Sequence, residues 1–177
     1  MIHRLALPFL LLLATATAQA AEPETLYSDI TAESCKTQSI EEETGGSVQR
    51  CTGVAGHDLL ILDDDARMSV TVVTPDGEEH PLDYWGVVTS AFSSLGDKAE
   101  WRIARTDGKP VPVALIVRVN TVEPDTEKPR SLLAVAKITP GAICVTDVIP
   151  PGAGANEEAR RAADGAAGKP CREEPVN

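Results

Sequence analysis

Aromatic residues are scarce in this chain, which has two Trp, two Tyr and two Phe among its 177 residues. Because the rings are so few, we expect most of them to pack in the core. A sugar-binding cleft lined by aromatic side chains is therefore not expected. Trp101 lies in an alternating segment and is predicted to be buried. Trp85 and Tyr84 lie in a less regular stretch and are the candidate residues for contact with a partner.

Side chains suited to catalysis are also few. Only His57 and His80 follow the N-terminal segment as bases for neutral pH, and their Gly- and Pro-containing surroundings predict exposed loops. The chain has no Gly-x-Ser-x-Gly motif, and Gly53–Gly56 lacks the Lys and Ser/Thr of a phosphate-binding loop. We therefore expect no enzyme, no catalytic residue and no cofactor.

Positive charge is in deficit, since 16 Lys and Arg oppose 27 Asp and Glu and the net charge is −11. Such a surface repels nucleic acid and anionic lipid and favours basic partners. Beyond the N-terminal segment the longest apolar run, Val111–Val119, is interrupted by Pro112 and Arg118. A membrane-spanning helix needs about 20 apolar residues. Neither nucleic-acid binding nor a membrane span is expected.

The N-terminal segment has the layout of a secretory signal. Arg4 precedes the apolar run Leu5–Leu13, and Ala18-Gln19-Ala20 supplies small residues for a cleavage site. The pattern predicts a signal peptide over residues 1–20 and a periplasmic or secreted protein with a net charge near −12, because Arg4 is lost.

The four cysteines are an even number, which in an exported chain predicts two disulfides. Four cysteines permit three pairings, and local geometry favours one of them. Cys35 and Cys51 flank the turn signal Gly45-Gly46, so a hairpin would place them opposite each other, and Cys144 and Cys171 would then pair. No Cys-x-x-Cys pair with nearby histidines supports a metal site.

Strand patterns dominate the rest of the chain. Met68–Val73 and Ala99–Arg105 alternate between apolar and polar residues, as half-buried strands do. Val111–Val119 is apolar on both faces, which predicts a central strand covered on both sides. Ser131–Ile138 and Ala142–Val148 predict two more strands.

Two short helices are predicted. Val88, Phe92 and Leu95 have helical spacing, which predicts a helix around Val87–Leu95. Asn156 before two glutamates predicts the N-cap of a C-terminal helix. The alternative is a disordered tail rich in Ala and Gly.

The acidic run Asp63-Asp64-Asp65 is the segment most suggestive of a cation site. Its spacing differs from that of a calcium loop, and adjacent side chains on an extended segment point in opposite directions. We therefore predict a solvated turn in which Arg67 pairs with one carboxylate, and no metal ligand. Glu100 and Arg102, two residues apart on one strand, predict a surface ion pair.

Five short motifs follow one another along the chain, in Cys35–Gly53, Asp63–Val70, Glu100–Arg102, Val113–Arg118 and Cys144–Cys171. Their order resembles that of small exported, periplasmic proteins of Gram-negative bacteria. The resemblance implies the same disulfide pairing and C-terminal helix, and it implies no activity.

We predict an α+β fold, with a mainly antiparallel sheet that forms a sandwich or small barrel and a short C-terminal helix. The predicted division is a signal peptide over 1–20, a β-rich domain over 21–150 and a helix and tail over 151–177. The leading hypothesis is a monomeric, non-enzymatic binding protein with a macromolecular partner. The first alternative is an acidic inhibitor of a basic secreted enzyme, of the lysozyme-inhibitor kind. The second is a hydrolase or calcium-dependent module that uses Asp63–Asp65 and His57.

Overall fold

The computed structural model describes residues 23–122 and 128–174, and the predicted signal peptide lies outside them. These ranges contain ten strands, two α-helices and one 3-10 helix. The strands are β1 Glu24–Asp29, β2 Lys36–Ile40, β3 Ser47–Thr52, β4 Asp58–Asp64, β5 Arg67–Val73, β6 Glu79–Pro81, β7 Ser93–Thr106, β8 Lys109–Val122, β9 Pro129–Thr139 and β10 Ala142–Ile149. The helices are α1 Tyr84–Val87, α2 Ala155–Asp164 and the 3-10 helix Ala166–Gly168.

The strands form one mixed, mainly antiparallel sheet. Its order is β10-β9-β8-β7-β5-β4-β3-β2, while β1 pairs with β7 and β6 pairs with β5. The parallel contact among the described strands joins β5 and β7 at Arg67 and Ser93. The predicted fold class, with a mainly antiparallel sheet and a C-terminal helix, is confirmed.

The middle of the sheet is buried on both faces, as the apolar pattern of β8 predicts. Leu115 and Val117 pack with Trp101 in the larger core, which lies on the face away from α2. Ala114 and Ile116 point to the other face and pack beneath α2. The predicted burial of Trp101 is confirmed, since this ring is 0% exposed.

Both predicted disulfides are present. Cys35 and Cys51 join the start of β2 to β3, and Cys144 and Cys171 join β10 to the C-terminal segment. The N–H of Arg172 donates to the carbonyl of Val145 at 2.8 Å, so the chain after Cys171 runs beside β10.

The helix predicted around Val87–Leu95 is wrong. A single helical turn, α1, follows the N-cap Asp83 and ends at the C-cap Val88, and Ser93 already belongs to β7. The β-branched Val88 loses rotamer freedom in a helix. The parallel contact with β5 holds the chain near Ser93 in an extended conformation.

The predicted C-terminal helix is present as α2, with a different start. Its N-cap is Gly154 rather than Asn156, and the left-handed backbone of Gly154 (φ 82°) suits a glycine. The side chain of Asn156 accepts a hydrogen bond from Arg118 instead of capping the helix. No helix within the described ranges is long and apolar enough to cross a membrane.

Candidate functional site

Two exposed aromatic rings meet around one arginine at the end of the sheet where β5 begins. The Arg67 guanidinium carbon lies 4.8 Å from the centroid of the Trp85 ring and 4.6 Å from that of Phe92. Both distances are within the range of a cation–π interaction. Trp85 is 52% exposed and Phe92 is 54% exposed, which is unusual for residues of this size. We call the surface formed by Arg67, Trp85 and Phe92 the Trp85 surface.

Local packing fixes the two rings beside Arg67. Tyr84 is 1% exposed and its N–H donates to Ser69 Oγ at 3.1 Å, which holds α1 against β5 and turns the next residue, Trp85, outward. The N–H of Ser93 donates to the carbonyl of Ala66 at 2.8 Å, which places Phe92 beside the turn between β4 and β5.

Of the two candidate contact residues, the structure leaves only Trp85 accessible. Tyr84 is buried in the larger core, and this burial raises the pKa of its phenol. Its role is to anchor α1, so the expectation that Tyr84 contacts a partner is wrong. A shallow depression lies beside Phe92 and extends the surface toward Val122.

Three acidic residues lie next to residues of the Trp85 surface, either along the chain or across the sheet. Asp64 and Asp65 stand at the end of β4 and in the following turn, and Asp83 caps α1; all three are exposed. Asp65 Oδ2 accepts a hydrogen bond from Arg67 Nη1 at 2.8 Å, so the predicted pairing within the acidic run is confirmed. Three carboxylates against one guanidinium leave this area with an excess of negative charge.

The structure does not bring His57 and the acidic run together. His57 directly precedes β4 and Asp65 directly follows it, so the length of the strand, roughly 20 Å, separates them. His57 Nδ1 is buried without a hydrogen-bond partner among the described residues, and its ring faces Trp101. His57 was predicted to be exposed, and for its Nδ1 atom this prediction is wrong. Among the described residues, His57 and Asp63–Asp65 do not form a joint site. No group of three or more potential metal ligands occurs in residues 23–122 and 128–174.

Glu100 and Arg102 do not pair with each other, so the predicted surface ion pair is wrong. Both point to the α2 face of the sheet, where each binds the helix. Arg160 Nε donates to Glu100 Oε1 at 2.7 Å, and this hydrogen bond raises the pKa of the guanidinium. Arg102 Nε donates to Asp164 Oδ1 at 2.8 Å. Two ion pairs thus fasten α2 to β7.

A second concave surface lies between the start of α2 and the adjoining part of β7 and β8. We call it the Arg118 groove; its volume is about 520 Å³. Arg118 Nη1 donates to Ser131 Oγ at 2.7 Å and Arg118 Nη2 donates to Asn156 Oδ1 at 3.1 Å. The lining also includes Tyr27, Leu95, Glu100, Ile116, Leu133 and Arg160.

Sequence reasoning did not identify Arg118 as a site residue. The signals are present: a single charge interrupts the most apolar strand, and Gly96 lies inside β7, where an isolated glycine indicates a bulge. The contact between Arg118 and Asn156 joins segments 38 residues apart, which spacing along the chain does not reveal.

No protein-family model, no curated protein and no solved structure matches this chain. The two disulfides fit a protein of an oxidising compartment.

Proposed function

We propose that this protein is a non-enzymatic binding protein of the periplasm or the extracellular space, and that it contacts a basic protein through the Trp85 surface. The observation that carries the proposal is that the half-exposed rings of Trp85 and Phe92 both lie against the guanidinium of Arg67.

The composition of this surface is that of an interaction hot spot. Trp and Arg are the residues most enriched among those that dominate binding energy, and they act at the centre of an interface from which water is excluded. The burial of Tyr84 fixes the backbone next to Trp85, which lowers the backbone entropy that is lost on binding.

The charge around the rings supports a basic partner. Asp64 and Asp65 lie beside Arg67, Asp83 caps the helix that carries Trp85, and the chain as a whole carries a net charge of −11. Complementary charge at the border of an interface accelerates association and selects against acidic partners.

The compartment is part of the proposal. Disulfides persist where thiols are oxidised, and Cys35–Cys51 and Cys144–Cys171 account for all four cysteines. The signal-peptide layout of residues 1–20 agrees with export.

Affinity capture with matched variants tests the proposal. The protein without residues 1–20, its Trp85→Ala variant and an Ile40→Ala control are immobilised and exposed to envelope extract. Ile40 is the matched control because it is an exposed apolar residue, 66% accessible, on the end strand β2, three strands from β5. We expect a basic protein to be retained by the parent and by Ile40→Ala, with affinity for Trp85→Ala lower by about tenfold or more. Binding of that protein, purified, should weaken as salt rises. Equal retention by all three proteins, or salt-insensitive binding, would contradict the proposal.

A narrower form of the same proposal is inhibition of a basic secreted enzyme. Purified lysozyme serves as the probe, with its hydrolysis of cell walls measured at increasing concentrations of this protein. Inhibition that Trp85→Ala abolishes and Ile40→Ala preserves would identify lysozyme as a target. Absence of inhibition would remove this enzyme while leaving the capture experiment to decide the wider proposal.

A further inference from the structure

We propose that the Arg118 groove is a second binding site, which takes a small organic acid with an apolar body and holds its carboxylate on the Arg118 guanidinium. The site is separate from the Trp85 surface, and neither proposal depends on the other.

Arg118 is oriented by neutral partners and retains donors for a ligand. Its two hydrogen bonds go to Ser131 Oγ and Asn156 Oδ1. An arginine has five N–H donors, so three of them have no partner among the described residues. No ion pair joins Arg118 to a carboxylate in the part of the chain that the structure describes. A guanidinium fixed in this way can donate two parallel hydrogen bonds to one carboxylate.

The bulge in β7 makes room for this arginine. Leu95 pairs with Val119 and Ala99 pairs with Val117, so three residues of β7 stand opposite Arg118 alone. A Cβ built on Gly96 would lie 2.9 Å from Arg118 Cβ, closer than real Cβ atoms approach. The glycine therefore allows the arginine stem to pass along the bulge and present its head to the groove.

The neighbouring cations of the groove are already neutralised, which singles out Arg118. Arg160 pairs with Glu100 and Lys98 pairs with Asp29. Arg118 is thus the cation of this groove that has no acidic partner among the described residues. Asp97 also lines the groove, and its negative charge opposes anion binding, so the site favours one carboxylate over a multiply charged anion.

Apolar side chains complete the site. Leu95, Ile116 and Leu133 line the groove together with the ring of Tyr27. The volume of about 520 Å³ lies within the usual range of small-molecule sites, roughly 300–1,000 Å³. Ile116 and Leu133 are each only 4% exposed, so Leu95 and the half-exposed Tyr27 supply most of the apolar surface that a ligand can contact.

Titration followed by NMR tests the proposal with three probes: 3-phenylpropionate, its neutral amide 3-phenylpropanamide, and inorganic phosphate. We expect 3-phenylpropionate to shift the Arg118 Nε–H signal and the amide signals of Gly96 and Asn156 in a saturable manner. The amide should not shift them, and phosphate should bind more weakly than the acid. Equal responses to acid and amide, phosphate binding as tightly as the acid, or no response to any probe would overturn the proposal.

Variants separate this site from the rest of the molecule. Arg118→Gln should weaken 3-phenylpropionate binding by about tenfold or more, and Asp97→Asn should strengthen it. Arg50→Gln is the matched control, an arginine on the distant strand β3 that pairs with Asp58. Unchanged affinity in Arg118→Gln would refute the proposal. Should Arg118→Gln fail to fold, Asp97→Asn and the pattern of shifts in the parent protein decide. Trp85→Ala should leave the titration unchanged.

Discussion

At the scale of single residues, the packing around Trp101 leaves no room at one glycine. Gly53 N–H donates to the carbonyl of His57 at 3.1 Å, which closes the turn between β3 and β4 over the indole ring. A Cβ on Gly53 would lie 2.7 Å from both His57 O and Trp101 Cζ2. Trp101 cannot move aside easily, because its Nε1–H donates to Ser28 Oγ at 2.9 Å inside the core.

The substitution Gly53→Ala should therefore destabilise the protein. Overpacking of a core by one methyl group costs about 1–3 kcal/mol, since backbone or side chains must shift. Gly141→Ala is the control, because a Cβ there meets nothing within 4 Å. Urea unfolding followed by tryptophan fluorescence measures both variants. A midpoint for Gly53→Ala equal to that of the control would show that the turn adjusts freely.

At the scale of elements, α2 is held to the sheet by small apolar contacts and by ion pairs. Ala159 and Ala163 are its buried residues, and an alanine face contributes little buried area. The pair Arg102–Asp164 has two hydrogen bonds, of 2.8 Å and 3.1 Å, and the Arg102 side chain is only 9% exposed. Docking of α2 therefore depends strongly on charge.

Removing Asp164 should test this dependence. Asp164→Ala leaves the guanidinium of Arg102 nearly buried without its acidic partner, and Asp164 itself is 35% exposed. We expect a loss of about 1–3 kcal/mol, below the value for a fully buried pair because solvent screens part of the interaction. Asp29→Ala, which breaks the exposed Lys98–Asp29 pair, should cost less than about 1 kcal/mol. Hydrogen exchange of α2 amides and chemical denaturation measure the two. Equal losses of stability in Asp164→Ala and Asp29→Ala would contradict the expectation that the Arg102–Asp164 pair contributes more than an exposed pair.

The elements also show which parts of the fold the sequence reveals. β8 was predictable because its continuous apolarity reports directly that both faces are buried. Alternation located β5, but the predicted half-burial of this strand is wrong, since Thr71 on its polar face is also buried, at 4% exposed. The absence of a helix around Val87–Leu95 was not predictable. The conformation there depends on a parallel contact between Ser93 and Arg67, which are far apart in sequence. Trp85 could be identified by its irregular surroundings. The burial of Tyr84 and the orientation of Arg118 depend on contacts that only the folded chain brings together.

At the scale of the whole molecule, the sheet is open: β2 and β10 end its main strand order, and β1 and β6 each pair along one side only. An open edge presents unpaired backbone groups that can pair with another chain. Each end strand of this sheet has a disulfide beside it. The disulfide Cys144–Cys171 holds the C-terminal segment beside β10, where the N–H of Arg172 donates a hydrogen bond to the carbonyl of Val145.

Removal of this disulfide should therefore have two effects. In Cys144→Ser/Cys171→Ser, opening a loop of 27 residues should cost about 3.5 kcal/mol on the chain-entropy model. Release of the C-terminal segment should also uncover β10 and lead to association that increases with protein concentration. Denaturant midpoints report the first effect, and light scattering during size-exclusion chromatography reports the second.

The other disulfide supplies the control that separates stability from edge protection. Cys35→Ser/Cys51→Ser opens a loop of 16 residues and should cost a similar free energy, about 3 kcal/mol, while leaving β10 covered. If loss of stability alone caused association, both double variants would associate alike at the same fraction folded. If the C-terminal segment protects the edge of β10, only Cys144→Ser/Cys171→Ser should associate. This variant alone exposes a strand edge that the parent protein covers.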